Sequence, residues 1–113
     1  MDKVVDYSGL IKKLLQNYTE LACRYPVEQL ETHAIFDDEH QRYMVLDIGW
    51  SDKDRLHKPT LYVRLHQGKI WIEEDWTEDG IATELLAAGV PKEDIVLAFH
   101  HPIMRPLTEF AVA

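Results

Sequence analysis

Tyr7, Leu10, Ile11, Leu14, Leu15, Tyr18, Leu21 and Ala22 recur at helical spacing, which predicts an amphipathic helix from residue 3 to about residue 24. Gly9 inside it costs about 1 kcal/mol relative to alanine, which makes the first turns its weak end. Pro26 is the expected terminator, because it has no N–H to donate. Beyond it the period falls to two. "QLETHAIF" sets Leu30, Thr32, Ala34 and Phe36 on one side, and Asp37-Asp38-Glu39-His40 makes a turn. "RYMVLDIGW" points Met44, Leu46, Ile48 and Trp50 one way and Tyr43, Val45, Asp47 and Gly49 the other. "SDKDRLHKP" reads as a polar loop. "LYVRLHQGKIWIEED" then reads as a hairpin closing on Gln67-Gly68. One hairpin face carries Leu61, Val63, Leu65, Ile70 and Ile72; the other carries Tyr62, Arg64, His66, Lys69, Trp71 and Glu73.

A second helix is marked at both ends. Thr77 is the expected N-cap, with Glu78 and Asp79 in the first turn where the helix dipole favours negative charge. Trp76 and Ile81 have hydrophobic-staple spacing, and Ile81, Ala82, Leu85 and Leu86 form the buried stripe. Gly89 fits a left-handed position after the helix, and Val90 would touch Leu85 in a Schellman ending. "PKED" is one short turn, "IVLAF" a strand buried on both faces, and "LTEFAVA" a further extended segment. The expected architecture is a single α+β domain over residues 1–113, a two-layer sandwich in the order α-β-β-β-β-α-β. Its sheet is mainly an antiparallel meander with the helices packed on one face.

Two helices on one face leave the other side of the sheet open. The expectation is that Tyr43, Asp47, Tyr62, Arg64 and Trp71 share that side, with Arg64 directly across the hairpin from Trp71. Trp71 offers about 200 Å² for burial, worth about 5 kcal/mol at ~25 cal/mol per Å². Something should therefore cover it. One covering is internal, by the C-terminal segment with Phe110 and Val112. The other is a partner chain, which a Trp/Tyr/Arg cluster favours as the composition of a binding hot spot.

Charge narrows the partners. Twenty acidic residues stand against twelve basic ones, a net charge of −8. Phosphate repels such a surface, so direct nucleic-acid binding is not the favoured reading, and a basic protein surface suits it better. The opening "MDKVVDYSG" has no apolar signal core and no apolar run reaches membrane-spanning length, so a soluble cytoplasmic protein is expected. With Cys23 alone, no internal disulfide or thiolate metal cluster forms.

Catalytic signatures are missing. His100-His101-Pro102 draws the eye, but neighbouring residues in an extended chain point apart, so the two rings do not grip one ion. The simpler reading has one histidine hydrogen-bonded to backbone at the strand end; the other has the pair at an interface. The carboxylates Glu73, Glu74, Asp75, Glu78 and Asp79 lack calcium-loop spacing. No phosphate loop, nucleophile elbow or zinc-helix motif occurs. No enzyme, metal or cofactor is expected.

"IFDDEHQRYMVLDIGW", "GKIWIEEDWTEDGIATELLAAGVPKEDIVLAFHHP" and "RPLTEFAVA" together resemble the XisI family, the fdxN-element excision controlling factors of cyanobacteria. "LIKKLLQNYTE" agrees more loosely, and "SDKDRLHKP" is the least family-like stretch. The resemblance implies a small α+β accessory protein, not itself a recombinase. It is linked to programmed excision of a DNA element from a nitrogen-fixation operon, where a dedicated site-specific recombinase exchanges the strands. It further implies association with a second factor, XisH, which looks like a nuclease-fold protein. It carries no catalytic residues over to this chain. The expected partner-binding set is Tyr43, Asp47, Tyr62, Arg64, Trp71, His100 and His101, with a homodimer through the same face as a competing use. Rival readings are a direct DNA-binding factor with a basic patch from Lys12, Lys13, Arg24 and Arg42, and a small enzyme using His100 or His101.

Overall fold

The computed structural model describes residues 3–25 and 27–113. Its first element, α1 (Lys3–Arg24), follows the predicted periodicity. Ile11 and Leu15 are fully buried, and Tyr7, Leu10, Leu14 and Tyr18 pack beside them. Each of the two buried side chains contributes about 1.5–3 kcal/mol. The expected terminator, Pro26, lies outside the described residues.

Four strands follow: β1 (Leu30–Asp37), β2 (Arg42–Ser51), β3 (Asp54–His66) and β4 (Lys69–Asp75). They pair in order as an antiparallel meander. The "SDKDRLHKP" segment is not a loop. Asp52, with φ of 51°, turns the chain so tightly that β3 begins at Asp54, placing Arg55 opposite Trp50 and His57 opposite Ile48. Pro59 is accommodated because the β2–β3 register shifts between Val45 and Leu46; such a bulge relieves the ladder of a missing donor. The Gln67-Gly68 turn is as predicted, both residues having positive φ (53° and 77°).

The second helix, α2 (Ile81–Ala87), starts later than predicted, and Thr77 is not its N-cap. Asp75 takes that role from the end of β4. Its carboxylate accepts from the Ile81 N–H at 2.6 Å and from the Thr77 N–H at 3.0 Å, while Thr77 Oγ1 accepts from the Gly80 N–H at 3.2 Å. Trp76 is two-thirds exposed and forms no staple; the Lys58 ammonium lies 4.6 Å from its ring centre. The predicted Schellman ending is present. Val90 N–H donates to Leu85 O and Gly89 N–H to Leu86 O, both at 3.0 Å, with Gly89 at φ 99°.

After a 3-10 turn at Lys92–Asp94, β5 (Ile95–Leu97) adds to β4 in parallel, giving the order β1-β2-β3-β4-β5. Ile95 and Val96 are fully buried, as a strand covered on both sides requires. A second 3-10 turn spans Pro102–Leu107, and the tail returns so that Ala111 bridges Val96. Ile11, Leu15, Tyr43, Val45, Leu61, Val63, Ile70, Ile72, Ile81 and Leu85 form one core between the helices and a single face of the sheet. Among the described residues, no helix is long and apolar enough to cross a membrane.

Candidate functional site

The sheet face away from the helices is organised around Trp71. Arg64 stands directly across the β3–β4 ladder, its guanidinium carbon 5.1 Å from the indole centre, and its Nε donates to Glu73 at 2.8 Å. Arg105 approaches the same ring at 5.5 Å. His66 meets it edge-on at 5.6 Å. Two cations on one indole gain about 0.5–1 kcal/mol each where exposed. This largely answers why so large an apolar side chain sits on a polar face: guanidinium groups, which hydrate weakly, cover it. The cover leaves one group unserved. Among the described residues, Trp71 Nε1 is the buried side-chain polar atom without a partner, a state that costs about 1–3 kcal/mol.

Arg105 is the residue that sequence reasoning missed. Its Nε donates to His100 O at 3.1 Å and its guanidinium nitrogens to Ala98 O and Val112 O at 3.2 and 3.4 Å. Three carbonyls from two stretches of chain thus hold it over Trp71. The tail covers that ring with Arg105 and not with Phe110 or Val112: Phe110 packs on the core, and Val112 is half exposed. Arg105 lies in an aperiodic tail, so no spacing signal marks it.

Tyr62 and Arg64 are on the open face as expected. Arg42 joins them by donating to Tyr62 Oη at 3.2 Å, and Arg55 covers Trp50 at 5.4 Å. Two expected members belong elsewhere. Tyr43 is opposite Val63 in register and only 1% exposed, on the helix side. Asp47 has the same parity and accepts from Thr32 Oγ1 at 2.6 Å and from Thr60 Oγ1. Tyr43 cannot share a face with Tyr62, because opposite residues point the same way and Tyr62 pairs with Met44.

Tyr43 Oη donates to Asp38 at 3.0 Å, and burial followed by that bond pushes the phenol up to about 12. The Lys12 ammonium, 2.9 Å from Asp38, together with Tyr43 holds the Asp38 carboxyl below its usual range. Burial, then Asp47 and Asp75, raise Tyr18. The basic patch does not assemble as expected, since Lys12 is paired with Asp38 and Arg42 sits across the sheet. His101 caps the last 3-10 turn, Nδ1 accepting from the Ile103 N–H at 3.2 Å, while His100 packs against Phe99 at 4.7 Å. No group of three potential metal ligands gathers among the described residues.

The fold and this face define a class: a small one-sided α+β domain whose exposed sheet surface is built from aromatic rings and guanidinium groups. Within it, the match to the XisI protein family model over residues 1–112 shows that the chain belongs to the XisI family. It is similar in structure to a XisI-like protein from Anabaena variabilis ATCC 29413, with TM-score 0.88, 34% identity, and coverage of 97% of this chain and 99% of that one. It is equally similar to the fdxN element excision controlling factor XisI from the same organism, with TM-score 0.88, 41% identity, and coverage of 99% and 100%. No curated protein matches.

Proposed function

We propose that the chain is a cytoplasmic, non-enzymatic controlling factor for DNA-element excision, acting by binding a XisH-like protein. The family and the name of its Anabaena relative support the role in excision control. The observation that carries the binding reading is the Trp71 cluster: an indole between Arg64 and Arg105 whose buried N–H lacks an acceptor. Trp and Arg are the residue types that dominate interface energetics, and here Trp71, Arg64 and Arg105 stand together on the sheet face that the helices leave open.

Co-expression with the XisH-like protein, followed by size-exclusion chromatography, tests the reading. A joint peak that Arg64→Ala and Trp71→Phe each weaken about tenfold or more supports it. Separate elution at micromolar concentration removes it. The reading of direct DNA binding draws on five cations that the bare face gathers in an acidic chain: Arg42, Arg55, Arg64, Lys69 and Arg105. It requires affinity that falls steeply with salt. Filter binding to single- and double-stranded DNA at low salt separates the two, since retention without any protein partner would favour this second reading.

A further inference from the structure

A cavity of about 500 Å³ opens between the last turns of α1 and β1, lined by Tyr18, Ala22, Val27, Leu30, Thr32 and Asp47 among others. That volume lies within the range of ligand sites. Its walls are mainly apolar; of the acidic and basic side chains lining it, Glu31 and His33 contact each other at 3.3 Å, which leaves the carboxylate of Asp47. The two hydroxyls of Thr32 and Thr60 fix that carboxylate, one on each oxygen. No Lys, Arg or His among the described residues lies within ion-pair distance of it. The cation directly across the ladder, Lys58, turns to Trp76 instead. A half-buried carboxylate that is oriented but lacks a counter-charge favours a cation from outside, because its attraction is screened less than at the open surface.

The neighbouring backbone indicates what kind of molecule carries that cation. Strand β1 forms one edge of the sheet. Trp50 N–H donates to Gln29 O, so Leu30 and Gly49 are a pair without mutual hydrogen bonds. With no register shift along β1–β2, the N–H and C=O groups of Thr32, Ala34 and Phe36 therefore point outward, the Thr32 carbonyl accepting weakly from the Cys23 thiol at 3.9 Å. No bulge or proline blunts this edge, unlike many natural edge strands. Tyr25 and Val27 add an exposed apolar rim larger than a small amine needs.

We infer that an extended basic segment of a partner protein pairs along β1 and places an arginine or lysine in this cavity, with Asp47 as its counter-charge. Backbone bonds then supply affinity, and the cavity supplies selection of the side chain. On an added strand, alternate side chains point to the helix side, where the cavity lies. The inference rests on the reading that the chain works by binding a protein, but it uses a surface separate from Trp71.

The probe is a short extended peptide, Ac-Thr-Val-Arg-Val-Thr-amide, titrated into the isotope-labelled protein, with its Arg→Gln analogue as control. Amide shifts confined to Thr32, Ala34, Asp47 and Tyr18 are expected. Asp47→Asn, or the Gln analogue, should weaken them about tenfold. Ala34→Pro removes one outward N–H, Ala22→Phe fills the cavity, and both should abolish them. Equal binding by Asp47→Asn, shifts centred on Glu73, Glu74 and Asp75, or no shifts at millimolar peptide would overturn the inference. If Asp47→Asn does not fold, Ala22→Phe decides instead. A XisH-like complex that survives Ala22→Phe but is lost in Trp71→Phe ends this inference and leaves the proposed function standing. Loss through Ala22→Phe alone supports this inference and moves the partner surface from Trp71 to β1.

Discussion

At the scale of single residues, the tail hangs on Arg105 and the helix layer on a buried phenol. Lysine in place of Arg105 keeps the charge but cannot reach three carbonyls, since the planar guanidinium fork makes that arrangement. Arg105→Lys should cost about 1.5–3 kcal/mol in thermal unfolding and speed hydrogen exchange over residues 108–113. Tyr43 gives a pH test. An unfolded tyrosine loses its proton near 10, whereas the folded one holds it to about 12. Between those values the native state binds more protons, so stability fully present below pH 10 falls as pH rises. The loss reaches about 2 kcal/mol by pH 12. Urea titrations across that range should show a much smaller fall for Tyr43→Phe, with a residue left by Tyr18, whose pKa is also raised. At the acid end the sign reverses. Asp38 is held low, so its contribution is present above pH ~4 and is lost as pH falls through its folded value. Asp38→Asn should flatten that limb.

At the scale of elements, α2 depends on its two ends more than on its length. Seven residues make too short a helix to persist alone in water. Asp75→Ala removes the acceptor for Ile81 and Thr77 and should cost about 1–2 kcal/mol, with helical signal lost before the sheet unfolds. Gly89→Ala forces a side chain into φ 99° and should cost about 1–2 kcal/mol, read from the same melts. The Gly89 ending was legible in the sequence because a Schellman motif is local. The start was not legible, because its cap is a carboxylate from the preceding strand and Thr77 imitates the usual signal. The "SDKDRLHKP" strand was obscured for a related reason. A polar two-residue turn followed by a proline-containing, bulged strand carries loop composition, while its order comes from pairing with β2.

At the scale of the whole molecule, the aromatic and cationic face lies opposite the helix layer of a chain with net charge −8. That asymmetry makes ionic strength a discriminating variable. Pairing between the bare face and a protein partner through Trp71 and Arg64 should persist at moderate salt, because the cluster is partly desolvated. Phosphate binding would fall by orders of magnitude between 50 and 200 mM salt. Sedimentation of the XisH-like mixture at both salt levels checks this; loss of the complex at the higher level would show that the pairing is ionic and not carried by the Trp71 cluster.

Hydrophobic periodicity determined both helices, most of the strands and the face to which the core belongs, because burial acts on each side chain through local geometry. The same alternation put Trp71 outside that core. It did not determine which faces of different strands coincide. Tyr43 and Asp47 went to the helix side through inter-strand register, which composition does not encode. Nor could it bring Arg105 over Trp71 across a long stretch of chain, or leave Asp47 in a cavity without a counter-ion. Those meetings depend on the tail's return past β5 and on the bulge beside Thr60, which arise only when the whole sheet closes.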